Sequence, residues 1–408
     1  MKPANTPEAR RIGDCLSAAA RCAARMLPQM VIPDGENAGL FCFKVRRDGF
    51  GRLVQEGVSP RYSIIALIGI AAVAGKDGLN QGPWQATAGR LSAMLKQDRL
   101  TLGDLGLLLW LDSYGEAEHQ AAILDALGRL WPRAYRSVDS MERAWVLTAL
   151  ARHTGSTGFR EELMNSVLES ILADYREDSG LFCLNNSARS GFWSRKRFGR
   201  VLGSFASQVY PLVALSAYAE AGGSAPVTPV IRAAAATTCS LQGPRGEWWW
   251  LFDTRSGSVY LDYPVYSVHQ DAMAPMGLLA ASKALNTDRF LPSVALGLEH
   301  LFTYEEPRSG LGFVEEPFIW RAAIKDIDGE DPADMPFGIG AEDFRYVHSA
   351  GRPAWLGAAN PVQGRHVRML REARPYCPGW ILYAYAQARE LLGVCGKLDL
   401  TTGMLEPA

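Results

Sequence analysis

Apolar positions recur along this chain at spacings of three and four residues, and glycine, proline and short polar clusters separate the periodic segments. Few stretches alternate with the period of two that a strand shows. The pattern predicts twelve helices in six consecutive pairs: about 7–27 with 60–74, 84–96 with 102–114, 116–130 with 140–153, 159–175 with 203–221, 230–241 with 266–285, and 289–302 with 374–392. Gly75, Gly115, Gly155, Gly222 and Gly393 stand just past helix ends, and Asp139 and Glu142 have capping-box spacing. The six hairpins therefore span about 7–75, 84–114, 116–153, 159–221, 230–285 and 289–392, with a long inserted loop at about 304–375.

The pairs also resemble one another. After the first helix of four of them comes a glycine followed by apolar or aromatic residues: GLFCF from Gly39, GLFCL from Gly180, GEWWW from Gly246 and GLGF from Gly310. The second helices open with Tyr62, Tyr210 or Tyr266 and continue with small and aliphatic residues that allow close helix packing. A hairpin of this kind cannot bury its own apolar face, so six of them are expected to close into a ring. The expectation is an all-α, single-domain (α/α)6 toroid over residues 1–408. The loops of the second and third hairpins are short and the other four long, which predicts a wall or lid at one end.

Six helical hairpins over about residues 7 to 393 resemble the α/α-toroid group, which includes six-hairpin glycosidases, N-acylglucosamine epimerases, glucuronyl C5-epimerases, polysaccharide lyases and terpenoid cyclases. Gln242 to Trp248, QGPRGEW, fits the Q-x-x-x-G-x-W pattern of the terpenoid cyclases. That resemblance implies a stabilising clamp, the glutamine capping a helix end and the tryptophan stacking over it. An architectural match carries over no catalytic residue.

Composition narrows the function. With 48% hydrophobic residues, 408 residues can bury a large core, and a formal net charge of -1 supplies no basic field for a nucleic-acid backbone. The seven cysteines are scattered without metal-binding spacing, which predicts free thiols in a reducing compartment. The N-terminal stretch has no apolar signal core, and the run from Ile64 to Ala74 is too short to span a bilayer. A cytoplasmic protein is expected. The six histidines show no paired ligand spacing, and no P-loop, dinucleotide fingerprint or nucleophile elbow occurs, so neither metal nor cofactor is expected.

Candidate chemistry concentrates in Gly246 to Gly277, GEWWWLFDTRSGSVYLDYPVYSVHQDAMAPMG. Alternation on an extended segment would put Trp249 on the face opposite Trp248 and Trp250; Trp248 reads as structural, Trp249 and Trp250 as sugar-stacking candidates. Pro264 marks an expected helix entry. Tyr266, His269 and Gln270 would then share one helical face at the mouth of the ring, with Asp271 beside them. His269, Asp271, Tyr266, Tyr263, Asp262 and Asp253 are the catalytic candidates. The aspartates suit a two-carboxylate glycosidase, and the tyrosine and histidine set suits proton abstraction beside a uronate carboxylate.

The fourth loop carries Arg195 and Arg197 with Trp193, and these join Gln270, Tyr62 and Tyr210 as substrate-binding candidates, the arginines for an anionic group. The acidic run Asp326 to Asp334, DIDGEDPAD, with Glu342, Asp343 and His348 after it, reads as a solvated turn in preference to a cation site. It also lacks the last aspartate of the cyclase D-x-D-D acid. The expectation is a carbohydrate-active enzyme acting on a sugar or uronate-containing glycan as hydrolase, epimerase or lyase. The alternatives are a terpenoid cyclase-like enzyme and a non-catalytic glycan-binding toroid.

Overall fold

The computed structural model describes residues 6–80, 84–115, 119–153, 158–185, 199–306, 310–325 and 367–406. Twelve α-helices occur among them: α1 (Pro7–Met26), α2 (Pro60–Leu79), α3 (Trp84–Lys96), α4 (Leu102–Asp112), α5 (Gln120–Ala134), α6 (Ser140–Arg152), α7 (Gly158–Leu172), α8 (Phe205–Glu220), α9 (Thr228–Ser240), α10 (Ala274–Leu285), α11 (Leu291–Thr303) and α12 (Tyr376–Leu392). The even-numbered helices pack in the circular order α2, α4, α6, α8, α10, α12 and back to α2, with the odd-numbered helices outside them. This is the (α/α)6 toroid that the hairpin pattern predicts.

Burial explains which helix of each pair goes inside. Every residue of α4 from Leu102 to Leu111 is buried, as is every residue of α10 from Ala274 to Ser282. A helix apolar on all sides needs neighbours on all sides. Outer α5 buries only Ile123, Ala126, Leu127 and Trp131, a single stripe. Helix α2 is the one described helix long and apolar enough to cross a membrane, and its place in the inner ring accounts for that character. Its close packing against α12 depends on glycine: a Cβ at Gly69 would sit 2.1 Å from the carbonyl oxygen of Gly379.

Each hairpin runs from outer to inner helix, so all six outer-to-inner loops emerge at one end, where the inner helices start. Side-chain caps gather there: Ser59 accepts from the Tyr62 N–H, Thr101 forms a capping box with Asp104, Asp139 accepts from the Glu142 N–H, and Ser204 accepts from the Ser207 N–H. The Asp139 spacing is half realised as a capping box, because Glu142 turns its carboxylate to Arg61.

The expectation of few strands needs qualification, since the long loops at this end fold into short antiparallel ribbons. Three are three-stranded: Lys44–Arg47 between Leu53–Glu56 and Glu372–Ala373; Leu251–Asp253 between Leu202–Ser204 and Ser258–Leu261; and Ala322–Lys325 between Val265–Tyr266 and Val367–Leu370. The third shapes the entry to the fifth inner helix, expected from about Tyr266. Pro264 leads into a short strand, Val265–Tyr266, and the helix begins at Ser267 and passes through one π-helical turn, His269–Met273. Pairing of Tyr266 with Ala322 across sequence-distant loops overrides the local helical period.

The Gln242 motif is a clamp here. Its side-chain amide donates to the carbonyls of Ser293 (2.9 Å) in α11 and Gly246 (3.2 Å), while Trp248 is buried against Gly297.

Candidate active site

The convergence of the inner-helix N-termini encloses a cavity of about 550 Å³. All six inner strata of the ring contribute to its wall: Arg61 and Tyr62 from α2, Asp104 from α4, Glu142 and Trp145 from α6, Tyr210 from α8, His269 ahead of α10, and Tyr376 from α12. Phe43, Trp250, Tyr266 and Arg321 close it from the loops. The floor is aromatic, with Tyr210 meeting Trp145 edge-on at 5.3 Å between centroids and resting on Trp380 at 5.9 Å.

Five of the predicted site residues come together on this wall: Tyr62, Tyr210, Trp250, Tyr266 and His269. His269 is 5% exposed, and its Nδ1 lies 3.4 Å from the Trp248 carbonyl oxygen. A carbonyl only accepts, so Nδ1 carries the proton and Nε2 keeps a lone pair. Burial pushes the imidazole pKa down to about 3, leaving it neutral at physiological pH. The rings of Tyr266 and His269 meet edge-on at 5.1 Å, and those of Trp250 and Tyr266 at 6.4 Å.

The other predicted residues lie elsewhere. Asp271 is fully buried behind the wall, near Cys377, whose thiol pKa is pushed up by burial and further by Asp271. Two positions along a helical turn amounts to about half a revolution, so a chain that turns His269 to the cavity turns Asp271 to the core. Burial pushes the Asp271 carboxyl well above the usual carboxylate range, and neither oxygen has a hydrogen-bond partner among the described residues. Gln270 also points inward. With its amide nitrogen donating to the Gly246 carbonyl (3.0 Å) and its oxygen accepting from the Trp248 N–H (3.1 Å), it ties down the tryptophan segment.

Asp253 ends a strand and is occupied by Arg255 at 2.8 Å; burial works to raise its pKa, but the Arg255 hydrogen bonds hold it below the usual value. Asp262 accepts from the backbone N–H of Tyr263, and Tyr263 packs on Trp249 at 6.4 Å, outside the cavity wall. Trp249, expected to stack on sugar, lies against Gly243 and does not line the cavity. Trp193, Arg195 and Arg197 lie outside the described residues, as do Asp326 to Asp334, Glu342, Asp343 and His348.

What sequence reasoning missed is the opposite wall. Arg61 donates through Nε to Asp104 (2.7 Å) and pairs through Nη2 with Glu142 (2.6 Å), while its guanidinium lies 5.3 Å from the Trp145 ring centroid. Burial raises the pKa of Glu142 despite Arg61, and burial likewise raises Asp139 beside it. Asp104 and Glu142 share the Arg61 guanidinium, and burial favours the protonated form of Glu142 and of Asp139, which gives this wall a candidate proton donor. The available signal was the polar residue set at each inner-helix start, Arg61, Thr101 to Asp104 and Asp139 to Glu142. Local spacing read only Asp139 and Glu142, as a capping box, and gave Arg61 and Asp104 no role.

Arg321 was also missed. Its guanidinium pairs with Glu372 and lies 5.3 Å from the Tyr266 ring centroid. No group of three or more His, Cys, Asp or Glu side chains among the described residues is placed to hold a metal ion.

No family model matches the sequence, and no curated protein matches it. Solved structures do resemble it. A cellobiose 2-epimerase from Bacillus thermoamylovorans B4167 superposes with a TM-score of 0.56 at 11% identity, covering 89% of this chain and 95% of its own. A glycosyl hydrolase of family 88 from Bacteroides vulgatus gives 0.54 at 11% identity, covering 93% and 99%. A polysaccharide lyase gives 0.52 at 10% identity, covering 93% and 98%. At such identities the likeness shows the shared (α/α)6 toroid fold.

Proposed function

We propose that this chain is a carbohydrate-active enzyme that moves a proton at a sugar carbon next to a carbonyl or carboxylate, in the manner of an epimerase or lyase. The observation that carries the proposal is the placement of His269, its Nε2 lone pair on the wall of an aromatic cavity, with the carboxyl cluster of Asp104 and Glu142 across the ring. Helices α4 and α10 are three places apart in a ring of six, so Asp104 and His269 belong to opposite walls. A base on one side and an acid on the other suit removal of a proton and its delivery elsewhere on the same substrate. The fold neighbours support the substrate class: an epimerase, a hydrolase and a lyase, the epimerase named for a sugar and the lyase for polysaccharides.

The test is incubation with reducing and uronate-containing oligosaccharides in deuterated water, followed by NMR. Deuterium should enter at a ring or adjacent carbon, and His269→Ala should slow that exchange by roughly 10²–10⁴-fold. Cleavage of the glycosidic bond with no deuterium on carbon would overturn the proposal in favour of a second reading, two-carboxylate hydrolysis. One observation favours that reading: Asp104 and Glu142 bind the same guanidinium, a separation compatible with the roughly 5–5.5 Å used by retaining glycosidases. The Gln242 to Trp248 motif is accounted for by its clamp and lends no weight to a cyclase. A reducing, cytoplasmic setting remains part of the proposal, supported by seven unpaired cysteines.

A further inference from the structure

We infer that Arg321 is the recognition site for a carboxylate on the substrate, so that the cavity takes a hexuronate ring in preference to a neutral hexose. The inference rests on the carbohydrate reading above and names the substrate class for the same cavity. Arg321 lines the cavity wall yet is only 3% exposed, so its charge acts where water screens it little.

The guanidinium is held rigidly. The backbone N–H of Arg321 donates to the Glu372 carbonyl (2.8 Å), and its own carbonyl accepts from the Ser267 N–H (2.9 Å). Glu372 pairs with the side chain, and the Tyr266 ring lies 5.3 Å from the guanidinium carbon. The Glu372 oxygen that takes Arg321 also accepts from Nε of Arg374 at 2.9 Å, so two guanidinium groups share it. Arg374 in turn donates to the Tyr62 hydroxyl at 3.4 Å. Tyr62 and Tyr376 pack together at 4.8 Å between centroids and line the same wall.

A guanidinium fixed beside the Tyr266 ring puts positive charge on the cavity wall, which matches the charge of a carboxylate. Arg61, the other guanidinium on the wall, is engaged by Asp104 and Glu142, so the two sides of the cavity differ in sign. Tyr266 also fixes the spacing from the base, because Arg321 and His269 pack on the same ring. A carboxylate held by Arg321 would therefore place its neighbouring carbon on the His269 side of the cavity.

The experiment is calorimetric titration of the full chain with glucuronate and galacturonate oligosaccharides, their neutral hexose counterparts, and a hexose phosphate. Uronates should bind roughly tenfold or more tightly than the neutral sugars, as a charge-assisted hydrogen bond implies. Arg321→Gln should erase that preference and leave neutral-sugar affinity within a few-fold; Arg321→Lys should restore part of it. In case the variants fail to fold, the wild type offers a second measurement: uronate affinity should fall with added salt while neutral-sugar affinity stays level. Equal affinity for uronate and neutral sugars, tighter binding of the phosphate, or a preference that survives Arg321→Gln overturns the inference and leaves the carbohydrate reading standing. Binding of neither kind of sugar overturns that reading and the inference with it.

Discussion

The Nδ1 atom of His269 faces the carbonyl oxygen of Trp248 at 3.4 Å, and this contact fixes the tautomer of the one histidine on the cavity wall among the described residues. Because the folded imidazole has a pKa near 3 and an unfolded one about 6.5, the unfolded chain binds the extra proton between those values. The stability contributed by neutral His269 is present above about pH 6.5 and is lost as pH falls toward 3. Denaturant midpoints should show about 2 kcal/mol of destabilisation between pH 7 and pH 5 that a His269→Gln variant lacks. An identical acid slope in both proteins would show that His269 is not buried neutral.

Asp271 has the reverse linkage. Its folded pKa lies above the unfolded value, so its burial is least costly below about pH 4 and destabilises the fold progressively as pH rises through the folded pKa. Asp271→Asn, an uncharged replacement of the same shape, should raise the unfolding midpoint at pH 8, leave it nearly unchanged at pH 4, and retain turnover within a few-fold. Loss of turnover by 100-fold or more in a folded variant would return Asp271 to the catalytic set.

On the acidic wall the two carboxylates should separate by phenotype. Glu142→Gln keeps the side-chain shape and should lower turnover by roughly 10²–10⁴-fold with little change in thermal stability. Asp104→Ala removes both the capping box and a partner of half-buried Arg61, and should cost about 1–2 kcal/mol in denaturant unfolding. If Glu142→Gln turns over normally, the proton donor lies elsewhere.

Gln242→Ala tests the clamp apart from the chemistry. Losing its hydrogen bonds to Ser293 and Gly246 should lower stability by about 1–2 kcal/mol in thermal or denaturant unfolding while turnover stays unchanged. A variant equally stable but inactive would contradict the structural role.

The tightest helix contact makes the clearest packing prediction. At Gly69 an added Cβ would lie 2.1 Å from a backbone oxygen of α12, and neither helix can yield without shifting the ring. Gly69→Ala should destabilise by about 3 kcal/mol or more, at the upper end of overpacking costs, measured as a fall in the unfolding midpoint. Gly89→Ala, where nothing lies within 4 Å, is the control.

The architecture was legible in the order of residues because helix periodicity and its glycine stops are local properties. Six apolar hairpins admit few ways of covering one another, and the observed helices follow the predicted pairs closely. The aromatic lining was partly legible for the same reason: Tyr62 and Tyr210 occupy equivalent inner-helix positions, whereas of the two candidate tryptophans only Trp250 reaches the cavity. The direction of a side chain at an irregular turn was not legible. A strand pairing between Tyr266 and Ala322 holds the entry to the fifth inner helix extended, and the π-helical turn that follows sends His269 to the cavity and Asp271 to the core. The partners of Arg61 and Arg321 lie 43, 81 and 51 positions away in the chain, at Asp104, Glu142 and Glu372. Local sequence determined the ring and the end at which its chemistry gathers; only its closure, which brings distant helix starts and loop strands within a few ångströms, decided which charges face the cavity.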